Sequence, residues 1–246
     1  KAKLVEALRK AVDAATAFCA THEVDLSVIE RLTAGSLERL QQVDDAVNAL
    51  ISPDPLRREF FGHERVVSML YCAVKPDPTA LEFSGRVACI AAIANAIRTK
   101  INPNPTDITA VMGGIGMLLD ASITGVDMPA KPAPIIDLSK IDFEALRGRF
   151  KDSRHKNTDL EVLKAAVRAQ LEKLIRLNRT RTDFQKKFEE LIESYNSGSR
   201  NIEELFEGLL KLCRSLSAEE QRHVREKMTE EELVIFDILT RPAPDL

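Results

Sequence analysis

Residues 56–74 read LRREFFGHERVVSMLYCAV, and their apolar positions decide the fold class. Leu56, Phe60, His63, Val67, Leu70 and Val74 follow at steps of four or three, the spacing that keeps one stripe on one face of an α-helix. A half-buried strand would need alternation of period two, and none is sustained. Pro76 and Pro78 stop the helix, because proline has no amide hydrogen and its ring clashes with the preceding turn. The next segment repeats the arrangement with Phe83, Val87, Ile90, Ala94, Ile97 and Ile101, closed by Pro103 and Pro105. Gly85, Ala88, Ala91 and Ala92 stand among these residues and are small enough for a neighbouring helix to approach closely.

The same periodicity extends in both directions. Leu4, Leu8, Val12, Ala15 and Cys19 predict a first helix, and Leu37, Leu40, Val43, Val47 and Leu50 predict another that ends before Ser52-Pro53. A helix over 107–120 leads into SITGVDMPAKPAPIIDL, where Pro129, Pro132 and Pro134 predict an extended linker. A short helix is expected around Phe143 to Phe150. Beyond it, Thr158 with Glu161, Thr182 with Gln185, Ser217 with Glu220 and Thr229 with Glu232 have the spacing of capping boxes, in which each side chain satisfies the other residue's orphan amide. Leu160, Leu163, Val167, Leu171, Leu174 and Ile175 form one stripe; Phe184, Phe188, Leu191, Ile192 and Tyr195 form the next. Asn201 opens a further helix with Ile202, Leu205, Phe206, Leu209, Leu212, Cys213 and Leu216. The expected fold is all-α: an irregular multi-helix bundle of about a dozen helices. Its expected division is a helical lobe over 1–128, a proline-rich connector over 129–140 and a second lobe over 141–246, or one continuous helical domain.

With 246 residues, 44% of them apolar, the chain can bury a sizeable core. Its net charge of −3, from 35 basic and 38 acidic residues, excludes a generally basic nucleic-acid coat. The four cysteines, Cys19, Cys72, Cys89 and Cys213, form no C-x-x-C and have no histidine at ligand spacing, so reduced and mostly buried thiols are expected. That favours a cytoplasmic setting. No run approaches the roughly 18 to 20 continuous apolar residues of a membrane span. The chain begins at Lys1 in an amphipathic segment rather than at methionine, which predicts a piece of something longer.

Motifs that would carry chemistry fail one by one. The GGIG of Gly113 to Gly116 lies in a helical pattern and has no following Gly-Lys-Ser/Thr to hold a phosphate. His63-Glu64 opens like a zinc-protease signature, but Val67 stands where the second histidine ligand is needed; His63 is expected to be a semi-buried, hydrogen-bonded residue on its stripe. No Asp or Glu has a lysine two positions on, the pairing common in metal-dependent nucleases. No catalytic, cofactor-binding or metal-binding residue is therefore assigned. Charge is more informative: residues 151–187 hold 11 basic and 5 acidic side chains, whereas 188–246 hold 7 and 14. Arg154, Lys156, Arg176, Arg179, Arg181, Lys186 and Lys187 could contact DNA phosphate or a partner. Otherwise the acidic helices fold back on the basic ones.

Taken in order, GSLERLQQVDDAVNALI, LRREFFGHERVVSMLYCAV, PDPTALEFSGRVACIAAIANAIRTKI, IDFEAL, the pair LEVLKAAVRAQLEKLIRLNRTRTDFQKKFEELIESYN and TEEELVIFDIL resemble the carboxy-terminal helical region of the R subunit of type I restriction enzymes. The likeness runs over roughly Leu37 to Leu239 and rests on helix faces in a given order. The segment Gly125 to Pro134 departs from it, being shorter and richer in proline. The resemblance implies a support, without catalysis of its own, that joins an ATP-dependent DNA translocase and endonuclease to a methyltransferase core. It also implies methyltransferase and specificity subunits as partners, alongside the subunit's own motor and nuclease domains; duplex DNA is the alternative partner of the basic block, and no membrane is expected. ATP and Mg²⁺ are then expected on parts of the parent enzyme outside this chain.

Overall fold

The computed structural model describes residues 2–101 and 143–240, and every regular element among them is helical, in accord with the expected all-α class. The chain divides into two compact units, Lys1–Pro103 and Asn104–Leu246. The helix expected over 107–120, the GGIG segment and the connector expected over 129–140 lie outside the described residues.

In the first unit, α1 (Ala2–Thr21), α2 (Leu26–Arg31), α3 (Leu37–Leu50) and α4 (Asp54–Val74) are followed by a 3₁₀ turn (Pro78–Phe83) and α5 (Ser84–Ile101). Helix α1 packs along α4, and α5 lies against α2, α3 and α4. The quoted stripe turns inward: Phe60, Val67 and Val74 are buried, with His63 and Leu70 half-buried. In α5, Cys89 and Ile93 are buried in addition to Val87, Ile90, Ala94 and Ile97. A helix with three neighbours has more than one covered side, so its core positions outnumber a single stripe. The segment Pro78–Ile101 is long and apolar enough, by length and composition alone, to cross a membrane, and its buried residues belong to the core of the unit. Helix α3 departs from expectation: Leu37 and Leu40 are exposed, and only Ala46, Val47 and Leu50 are buried. Its last two turns enter the core, while its first is held by Ser36, whose hydroxyl accepts from the Arg39 amide at 3.2 Å.

Close approach occurs at Gly85 and not at Ala88 or Ala92, which are exposed. A Cβ on Gly85 would stand 2.3 Å from Glu30 Oε1. Glu30 cannot simply swing aside, because Arg86 Nε donates to its other oxygen at 3.0 Å while Arg86 Nη1 donates to Thr16 Oγ1 at 3.1 Å. Gly85→Ala should gain about 0.5–1 kcal/mol of helix propensity against an overpacking loss of about 1–3 kcal/mol. A net destabilisation in urea titration is expected, with Ala92→Ser, which loses at most about 0.5 kcal/mol of helix propensity at an exposed position, as control.

The second unit comprises α6 (Phe143–Asp152), α7 (Lys156–Leu177), a 3₁₀ turn (Arg179–Arg181), α8 (Thr182–Asn196), α9 (Ile202–Glu220), α10 (Arg222–Arg225) and α11 (Glu230–Thr240). Helix α9 packs against both α7 and α8, and Leu205, Phe206, Leu209, Leu210, Leu212, Cys213 and Leu216 are buried. Helix α6 joins them through Phe150, whose ring stacks on Phe206 at 3.7 Å, and through Arg147, whose Nη2 donates to Glu207 Oε2 at 2.8 Å.

Three of the four expected capping boxes do not form. Thr158 lies inside α7, which already begins at Lys156; Thr182 is the first residue of α8; and Ser217 falls within α9, which runs on to Glu220. Thr229 and Glu232 do form one, with reciprocal bonds of 2.8 and 3.2 Å. Asn201 and Glu204 form another, at 2.8 and 2.9 Å. Spacing alone cannot tell a helix start from a helix interior, since the same i, i+3 relation recurs at every turn.

Candidate interaction site around the NRTRT connector

Residues 178–182, NRTRT, link α7 to α8, and their local geometry sorts the basic side chains. Asn178 caps α7, its amide donating to Leu174 O at 2.9 Å, and its Oδ1 accepts from the Thr180 amide at 3.0 Å and from the Thr180 hydroxyl at 2.8 Å. The turn so closed is 3₁₀, with three residues per turn, so residues 178 and 181 share a side. That side faces inward: Asn178 and Arg181 are buried, whereas Arg179 is exposed.

Arg181 has 0% of its surface exposed. Its Nε donates to Glu219 at 3.2 Å and its Nη2 to Glu230 at 3.4 Å, while Nη1 is buried without a hydrogen-bond partner. Arg222 continues the network, reaching Glu219 at 3.3 Å and both oxygens of Asp237 at 2.8 and 3.1 Å. Asn178 Nδ2 donates to Asp237 at 2.8 Å, and the imidazole of His223 lies 3.1 Å from Glu230. Burial would lower the pKa of Arg222, but the bonds and charges of Asp237 and Glu219 more than reverse it and hold the guanidinium above its ordinary value. One polar cluster thus fastens the connector, the end of α9 and the face of α11 together. Arg181, expected as a contact for phosphate or a partner, is instead an internal tie.

The other members of the set are dispersed. Lys156 pairs with Glu203 at 3.1 Å and lies over the Phe150 ring at 5.9 Å. Lys187 sits over Phe184 at 5.6 Å, on the rim of an open groove of about 860 Å³ between α8 and α9. Arg154, Arg176, Arg179 and Lys186 are exposed, and Arg176, Arg179 and Lys186 make no ion pair among the described residues. Lys156, Lys173 and Arg181 meet Glu203, Glu220 and Glu219 of α9, so part of the basic block is neutralised within this unit by the acidic helix. Sequence reasoning missed Asn178, Glu219, Arg222 and Asp237. A signal for Asp237 was present: a lone acid in LVIFDIL, four residues after Leu233, is an inward position that only a paired acid can occupy.

In the first unit His63 packs beside Phe18, with ring centroids 4.9 Å apart, and Glu64 accepts from Arg98 at 2.6 Å. His63 is half-buried, as expected of its stripe, but the hydrogen bond expected of it is absent among the described residues. Among the described residues no three His, Cys, Asp or Glu side chains gather as metal ligands would. Cys19, Cys89 and Cys213 are buried and Cys72 is exposed, all as free thiols. Burial pushes Cys19 up to about 11 and Cys213 up to about 12, which keeps both protonated at neutral pH.

A family model described as type I restriction enzyme HindI endonuclease subunit-like, C-terminal, matches residues 1–244. No curated protein and no solved structure matches the chain.

Proposed function

Since the chain belongs to the family of C-terminal domains of type I restriction enzyme HindI endonuclease subunit-like proteins, we propose that it is the non-catalytic helical support of such a subunit. In this reading it serves assembly with the methyltransferase and specificity subunits and steadies an ATP-dependent motor and nuclease carried elsewhere on the parent enzyme. The observation that carries the reading is the use of charge: Arg181, Glu219 and Asp237 lie buried, and with the half-buried Arg222 they hold helices to one another, an arrangement suited to a rigid brace. Mixed with the methyltransferase and specificity subunits, the chain should co-elute with them in size-exclusion chromatography. Separate elution at both low and high salt would sink the assembly role.

A second reading, guidance of duplex DNA, is favoured by Arg176, Arg179 and Lys186, which are exposed and unpaired among the described residues. Contacts of this kind, made to phosphate without reading bases, give weak and salt-sensitive binding, on the order of 10⁻⁴ to 10⁻⁶ M. The pair Arg179→Glu and Lys186→Glu should then lower affinity for duplex DNA and flatten the dependence of log K on log salt by about two units. Unchanged affinity and slope would dismiss DNA guidance and leave the assembly role standing.

A further inference from the structure

Helix α11 is inside out. Its buried positions are Leu233 and Asp237, whereas Ile235, Phe236, Ile238 and Leu239 are 59, 41, 64 and 79% exposed. Turning the helix by half a revolution would bury Ile235, Ile238 and Leu239 and bring Asp237 to water, which hydrophobic burial alone would favour. The bonds from Asn178 and Arg222 to Asp237 forbid that turn and fix the apolar side outward. An orientation held by a buried ionic cluster against the hydrophobic effect implies that the outward side is covered by something else.

Three occupants can be weighed. A lipid surface is opposed by Glu231 and Glu232, which stand one turn before Ile235 and Phe236 on the same side, where membrane-binding helices carry Lys and Arg. A second copy is opposed by charge: its own α11 brings the same acids and no lysine or arginine to meet them. A helix of another polypeptide with basic edges meets neither objection, since the two acids state the charge it must carry. We propose that the outward side of α11 docks an amphipathic helix of another polypeptide, one whose apolar stripe is edged with lysine or arginine. The inference rests on the assembly reading and names the surface through which assembly occurs.

The test uses the 246-residue chain and a fluorescent helical peptide of leucine and lysine at heptad spacing, with a scrambled peptide of equal charge beside it. Anisotropy should show the heptad peptide bound at least about tenfold more tightly than the scrambled one. Ile235→Glu combined with Leu239→Glu, both at exposed positions that leave far-UV circular dichroism unchanged, should remove that advantage. Glu231→Lys should shift preference toward a leucine–glutamate peptide. Equal binding of heptad and scrambled peptides, or variants without effect, overturns the proposal. So does a dimer in sedimentation equilibrium that the double variant dissociates, or attachment to vesicles of anionic phospholipid. Co-elution with the methyltransferase and specificity subunits separates the two ideas. If the double variant still co-elutes, assembly stands and this surface is wrong; if the unaltered chain does not, assembly fails while the peptides still judge the surface.

Discussion

Arg181→Ala is expected to destabilise the second unit by about 3–5 kcal/mol, the usual loss when one partner of a buried ion pair is removed. Two effects add. The guanidinium leaves a cavity in a fully enclosed position, and Glu219, itself buried, loses one of the cations that balance its charge while Arg222 stays at 3.3 Å. Arg179→Ala, two residues earlier in the same connector, should change stability by less than about 0.5 kcal/mol, because its side chain is exposed and makes no ion pair among the described residues. Arg181→Met separates the two effects, since methionine restores most of the volume but none of the charge; it should fall between the others if both matter. Urea unfolding followed by circular dichroism reads all three. Equal losses at positions 179 and 181 would contradict the buried network. Added salt offers a second check: a buried pair is screened far less than a surface pair, so the gap between the two variants should persist at high ionic strength.

That comparison also marks where sequence reading stops. The stripes in α1, α4, α5, α7, α8 and α9 were legible because they depend on periodicity, which composition and spacing display directly. Leu37 and Leu40 fit the period equally well and yet face solvent, since a period says which residues share a side and not whether a neighbour covers it. Arg179 and Arg181 look alike in NRTRT. Only the Asn178 turn, with its three-residue pitch, sends one outward and the other in, and that pitch follows from hydrogen bonds whose partners Thr180 and Asp237 are set by folding. Net charge was a better guide than any single residue: the basic block of 151–187 and the acidic block that follows do meet, at Lys156, Lys173 and Arg181. The family likeness added what local physics could not, because helix order and spacing over most of the chain carry more information than any one stripe.

Phe206→Ala should destabilise the second unit by about 3–5 kcal/mol, the range for emptying a buried aromatic site. Phe206 is buried on α9 and stacks on Phe150 with the two planes 5° apart, so it supports both the central helix and the docking of α6. Phe206→Leu should lose much less, since most of the apolar volume remains and only the ring pairing disappears. The pairing can be isolated with Phe150→Leu in a double-mutant cycle: a coupling of up to about 0.5 kcal/mol is expected beyond the burial of either ring, since near-parallel rings 3.7 Å apart are less favourable than offset or edge-on ones. No coupling would mean that Arg147 with Glu207, and Arg214 with Glu144 at 3.0 Å, hold α6 in place and the rings merely fill space. Salt distinguishes these cases independently. The ionic contacts are partly exposed and weaken as ionic strength rises, whereas the ring pair does not. Docking of α6 that survives high salt but fails in Phe206→Ala would therefore assign it to the core.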